Sequence, residues 1–81
     1  MRLEDFVMYA WIGEDELGSG EVGIKQGVCP AGIIPMAMVH LSAADQDYIK
    51  DQLQWQANQY GKPITLVKLK VIEEVIRLEP R

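Results

Sequence analysis

The sequence predicts a small α+β domain in which one helix lies on one face of a small antiparallel or mixed sheet, in the order ββ(β)αβ. Three observations carry that expectation. Residues 42–61 hold apolar positions at helical spacing between a start signal and a glycine stop. Residues 5–13 and 64–71 are β-branched or aromatic with strand alternation. Residues 29–41 place two prolines and a glycine inside an apolar run, which favours turns and an edge strand over a second helix.

Taken in order, "DFVMYAWIG" reads as a first strand, with Phe6, Met8 and Ala10 on one face and Val7, Tyr9 and Trp11 on the other. Apolar residues on both faces imply cover on both sides, from the domain or from a partner. Residues 13–20 have loop composition, and "EVGIKQGV" reads as one second strand, closing a hairpin with an acidic tip. "IIPMAMVH" reads as a third strand, held to an edge or a bulge because Pro35 lacks a backbone donor.

The helix is predicted at 43–60. Ser42 is the expected N-cap, Asp45 and Asp47 fall in the dipole-favoured first turn, and Gly61 followed by Pro63 ends it. Ile49, Leu53, Ala57 and Tyr60 form the core stripe, beside a semi-polar stripe of Tyr48, Gln52, Trp55 and Gln59. The last strand is expected from 64 to about 78 with a bulge near Ile72, although residues 71–79 fit a helical period equally well. One helix leaves the other sheet face apolar, which points to a homo-oligomer.

The 81 residues make a single domain, 1–81, near the lower limit for an independent core. Oligomerisation is a common support at this size. A hydrophobic content of 48% excludes a disordered chain. The lone Cys29 excludes an internal disulfide, so the cytoplasm is the expected compartment. The apolar run at 6–12 follows Glu4 and Asp5, unlike a signal peptide, and no stretch is long enough to span a membrane. The net charge of −4 is concentrated at the start, where residues 1–23 carry six acids and one base. With no basic block, the chain lacks the footprint of a duplex nucleic-acid binder.

The chemistry-bearing stretch is "GEDELGSGEVGIKQG", residues 13–27, with four acids, five glycines and one lysine. Its Gly18–Gly23 portion matches G-x-G-x-x-G, but no helix follows, so the dinucleotide-binding context is missing. A kinase-type loop lacks the rest of its catalytic machinery at this length. A local phosphate nest remains, with Ser19, Gly20 and Lys25 as donors, Gln26 for base or ribose contacts, Trp11 for stacking and Lys68 as a secondary cation. The competing reading is a plain hairpin tip whose glycines permit positive φ.

The acids Glu14, Asp15, Glu16 and Glu21 lack the spacing of a calcium loop, and one histidine with one cysteine does not make a zinc site, so no metal is expected. No cofactor is implied. Glu14, Asp15 and Glu16 with the Trp55 face form an alternative, partner-binding surface. Gln52, Gln56 and Gln59 are the amides available there to a partner or a ligand base. Cys29 with His40 is the one nucleophile–base pair the composition allows, which defines a third class, a small hydrolase.

"GEDELGSGEVGIKQG", "PAGIIPMAMV" and "YGKPITLVKLKVIEEV" are similar to stretches of small uncharacterised phage and prophage proteins. The resemblance spans most of the chain and includes no catalytic motif. It implies a protein that acts without catalysis, by blocking a host protein or by sequestering a small molecule, as oligomeric sponges for nucleotide-derived immune signals do. The first expectation is therefore a non-enzymatic, oligomeric, anti-defence type protein that captures a small anionic ligand such as a nucleotide. The second is a protein-interaction module that inhibits or adapts a larger host or phage protein.

Overall fold

The computed structural model describes residues 2–15 and 18–81. After a 3-10 turn at Leu3–Asp5, the chain forms β1 (Val7–Glu14), β2 (Val22–Ile24), β3 (Gln26–Cys29), β4 (Gly32–Pro35), β5 (Ala37–Met38), α1 (Leu41–Ala44), α2 (Asp47–Tyr60) and β6 (Ile64–Lys70). The fold is α+β, and every strand pairing is antiparallel.

β1 is the central strand. β6 pairs with it along its whole length, from Val7 opposite Lys70 to Gly13 opposite Ile64. Its other edge is shared by two short strands. β2 pairs with the end of β1 (Ile12 opposite Ile24), and β5 pairs with the middle (Tyr9 opposite Met38, Ala10 opposite Ala37). Between them the chain leaves the sheet as the β3–β4 hairpin, with Gln26 opposite Pro35 and Cys29 opposite Gly32. The expected second and third strands are thus each broken, at Lys25 and at Met36.

The breaks meet in a closed triangle of backbone hydrogen bonds. Lys25 N–H donates to the Trp11 carbonyl (2.8 Å), Trp11 N–H to the Met36 carbonyl (3.0 Å), and Met36 N–H to the Lys25 carbonyl (2.8 Å). Three strand directions therefore part at one point with no donor of these residues orphaned, which a buried junction requires. Gly27 makes the junction passable: a Cβ there would lie 2.8 Å from Met36 Cε.

The core is small. Met36, Ile49 and Leu53 are buried together, with Trp11, Ile34, Met38 and Ile64 packed on them. The stripe expected from Ile49 and Leu53 is the buried face of α2, while Tyr60 at its end is half exposed. The hairpin is fastened to α2 by glutamine side chains. The Gln52 amide accepts from Val28 N–H (2.8 Å) and donates to the Val28 carbonyl (2.7 Å), as a neighbouring strand would. Gln56 donates to the Gln26 carbonyl (3.0 Å).

The helix differs from expectation at its start. Ser42 lies inside α1, whose N-cap is His40, and α2 begins only after Gln46, whose backbone is extended. At the break the Ala44 carbonyl, which in a continuous helix would accept from Tyr48 N–H, accepts from the Trp11 indole N–H at 2.9 Å. Asp45 in the break is held 3.1 Å from Lys50 Nζ, and Asp47 is 3.6 Å from the same ammonium. The hydrogen bond to Asp45 raises the Lys50 pKa. The helix ends as expected, on Gly61 with φ 65° donating to the Ala57 carbonyl.

The last strand stops at Lys70 rather than near 78, because its partner β1 begins at Val7 and supplies no further ladder. Residues 71–81 continue without regular structure, and neither the bulge near Ile72 nor a helix forms.

Gln52→Ala removes both hydrogen bonds to Val28 and is expected to lower unfolding stability by about 1–2 kcal/mol, since the freed strand edge re-solvates only in part. Gln54→Ala, which loses only an exposed contact to Asn58, should change it little. Urea denaturation of the two variants side by side checks this; equal midpoints would show that the glutamine clasp contributes nothing.

Candidate functional site

A cleft of about 480 Å³ opens where β2 and the Lys25 corner face the end of α2. Glu14, Asp15 and Glu21 line it from the β1–β2 connection, Lys25 and Gln26 from the corner, and Trp55, Gln56 and Tyr60 from the helix. Trp55 reaches it from the side of α2 away from Ile49 and Leu53, and Tyr60 from the last turn of their own stripe. Both rings keep large exposed surfaces, 60% for Trp55 and 48% for Tyr60.

Lys25 is 7% exposed. Its aliphatic stem passes over Gly13, where a Cβ would lie 3.2 Å from Lys25 Cδ. Its ammonium donates to the Glu14 carbonyl at 3.1 Å. Lysine is suited to this place because its stem covers apolar surface while its head reaches polar atoms. Glu14 is also 3.6 Å from Lys62 Nζ.

The glycine-rich loop already holds an anion, and it belongs to the chain. Ser19 donates to the Asp15 carboxylate twice, from its N–H (3.0 Å) and its hydroxyl (2.6 Å), and the same hydroxyl accepts from Glu21 N–H (3.2 Å). Gly18 and Gly20 have φ of 75° and 82°, the left-handed region such a turn requires. The hydroxyl bond from Ser19 holds the Asp15 carboxyl below its ordinary range, with the Ser19 N–H, Lys62 and Lys25 adding to it against desolvation. Donors that the sequence offered to a phosphate thus face a carboxylate four residues away.

The structure brings Lys25 and Gln26 together with Glu14, Asp15 and Trp55 in the one cleft, joining parts of two candidate sets that the sequence kept separate. Trp11 lies elsewhere: its indole packs on the core and lines a second, smaller depression with Lys50, Leu53 and Ile64. Ser19 and Gly20 sit in the loop outside the cleft lining, and Lys68 is on β6, opposite Tyr9. Glu16 lies outside the described residues. Glu21, Gln56 and Tyr60 complete the lining. Tyr60 was read from its spacing as a core residue, and only its position in the last turn, where the sheet ends, separates it from that stripe.

Gln52 and Gln56, the amides offered to a ligand, are engaged by the hairpin backbone. Among the described residues no hydrogen bond joins Cys29 to His40: Cys29 ends β3 at the hairpin turn, and His40 precedes α1. No group of three His, Cys, Asp or Glu side chains placed to hold a metal occurs among the described residues. No helix in the described chain is long and apolar enough to cross a membrane. Compared with known proteins, the chain matches no family model, no curated protein and no solved structure.

The depressed Asp15 pKa has a definite sign. The loop stabilisation it supplies is present above the ordinary carboxylate value and is lost as pH falls through the folded value. Carbon-detected NMR titration should show Asp15 ionising below the ordinary aspartate value, and Ser19→Ala should return it towards that value. An unchanged midpoint in that variant would assign the shift to the lysines instead.

Proposed function

We propose that the chain is a non-catalytic binding protein whose cleft receives a basic side chain of a partner protein. The observation that supports this best is the composition of the cleft: three carboxylates, of Glu14, Asp15 and Glu21, against Lys25 in the lining and Lys62 beside Glu14, with the exposed Trp55 and Tyr60 rings next to them. An arginine or lysine head finds negative charge at the rim and aromatic faces to lie on, where cation–π contacts contribute about 0.5–2 kcal/mol. The partner then lies over the acidic β1–β2 connection, and the chain inhibits or adapts it by occupying that surface. This agrees with the class implied by its resemblance to small phage proteins.

Capture of a small anionic ligand, nucleotide-derived in the reading from sequence, is the second proposal. It draws on the presence of Lys25 and Gln26 in the same cleft, with Trp55 as the stacking surface in place of Trp11. A phosphate there would have to draw the Lys25 ammonium from the Glu14 carbonyl and tolerate three neighbouring acids, so the charge balance favours the first reading.

The two readings separate by titrating the protein with a short oligo-arginine peptide and with ATP while following the two indole N–H signals by NMR. Binding in the cleft moves the Trp55 signal and leaves the Trp11 signal in place. The first reading expects this with the peptide, about tenfold weaker binding on Trp55→Ala, and loss of binding on the double change Glu14→Gln and Glu21→Gln. A response to ATP that is abolished by Lys25→Met, with none to the peptide, would establish the second reading instead.

A further inference from the structure

Residues 71–81 are the part of the chain whose structure the fold itself does not explain. They leave β6 in an extended course, and Ile72, Val75, Ile76 and Leu78 are 97%, 81%, 78% and 90% exposed. A chain of 81 residues packed as a compact domain has a radius of gyration of about 12 Å, whereas this one measures 14.6 Å and extends 44 Å along its longest axis. Four large aliphatic side chains so exposed on one short segment are unusual for a chain that stands alone.

The chain carries a matching surface. The strand registers put Met8, Ala10 and Ile12 of β1, Val22 and Ile24 of β2, Ala37 of β5, and Val67 and Leu69 of β6 on one sheet face. It is opposite the face where Trp11 meets α2, and Val22, Ile24 and Leu69 on it are exposed. Among the described residues β6 pairs only with β1, so its outer edge is an open ladder. An open strand edge of this kind is a template for another chain.

The segment cannot serve its own sheet. Between Val71 and Glu79 there is no glycine, proline, asparagine or aspartate to reverse the chain. The β1–β6 ladder ends at Val7 opposite Lys70, so β1 offers the segment no further partner. A second copy presents the same edge, the same apolar face and its own segment, so a two-fold axis satisfies both at once. The charges agree: residues 71–81 carry three acids and two bases, while β6 carries Lys68 and Lys70 and no acid.

We propose that residues 71–81 form an exchanged arm: in a two-fold pair of chains, each arm runs antiparallel along the open edge of the other copy's β6. Main-chain hydrogen bonds extend the sheet, as in strand addition. The arm's side chains alternate, so that Val71 and Val75 continue the apolar face of Val67 and Leu69 while Ile72, Ile76 and Leu78 lie on the face where Trp11 meets α2. Each of the four aliphatic side chains removes about 60–120 Å² of apolar surface from water. Two arms and the surfaces they cover then total about 1,000–2,000 Å², the size of a stable specific interface.

Sedimentation equilibrium of the full chain at tens of micromolar tests this, alongside Ile72→Asp with Ile76→Asp and a chain ending at Lys70. The expected result is a mass of two chains for the full protein and of one chain for both variants, with the Trp11 indole N–H signal in place to show that the core is intact. Hydrogen exchange on the unaltered protein gives an answer without any variant: amides of residues 71–79 should be slow in concentrated samples and fast on dilution. A single-chain mass for the full protein, a larger open assembly, variants that stay paired, or arm amides fast at every concentration would each overturn the proposal.

Discussion

Trp11 is the residue on which the rest of the structure depends. Its carbonyl and N–H hold Lys25 and Met36 in the backbone triangle, and its indole N–H takes the Ala44 carbonyl. The first pair of bonds decides where two strands leave the sheet and return. The third ties the end of α1 to the central strand. Its ring lies against the core of Met36, Ile49 and Leu53. The side chain and the backbone N–H and C=O of one residue in the central strand thus tie together the hairpin, the end of α1 and the core between them.

A domain with so few buried side chains closes much of its structure with polar contacts. Gln52 and Gln56 act towards β3 as a strand edge would, and Asp15 occupies a glycine turn that would otherwise suit an anion from solution. Both arrangements use groups that a binding protein would direct outward. Exposed donors and acceptors left without partners would cost little in water, but here they fix the hairpin and the loop that form two walls of the cleft. The cleft owes its shape to these internal contacts, and its remaining recognition chemistry to the carboxylates and the two aromatic rings.

The fold class, the first strand, the Ile49–Leu53 part of the core stripe and the Gly61 stop were legible, because each rests on local periodicity or on one residue's backbone freedom. The breaks at Lys25 and Met36 were not. They arise from a triangle among residues far apart in the chain, and "EVGIKQGV" alternates as well for one strand as for two. Ser42 was a sound N-cap candidate by local rules, but α1 begins one residue earlier with His40 as its N-cap, and the main helix begins only after Gln46. Gly18 and Gly20 were legible as turn glycines with positive φ, but the bonds that Ser19 makes to the Asp15 carboxylate are a matter of loop closure that a motif does not encode. The cleft itself joins the loop to the far end of α2, and a linear reading kept those two surfaces as rival sites.

The position of the arm bears on how the cleft would work. β2 and β6 flank β1 on opposite edges, so the cleft beside β2 and the exit of the arm from β6 lie at opposite ends of the sheet. A pair of chains joined through β6 therefore leaves both clefts open, one at each outer edge. Two sites held at a fixed separation can engage two basic groups of one partner, and the second contact then forms at the high effective concentration set by the first. A weak contact in each shallow cleft becomes useful under that arrangement, and shortening the arm would weaken partner binding even though no residue of the arm touches the cleft.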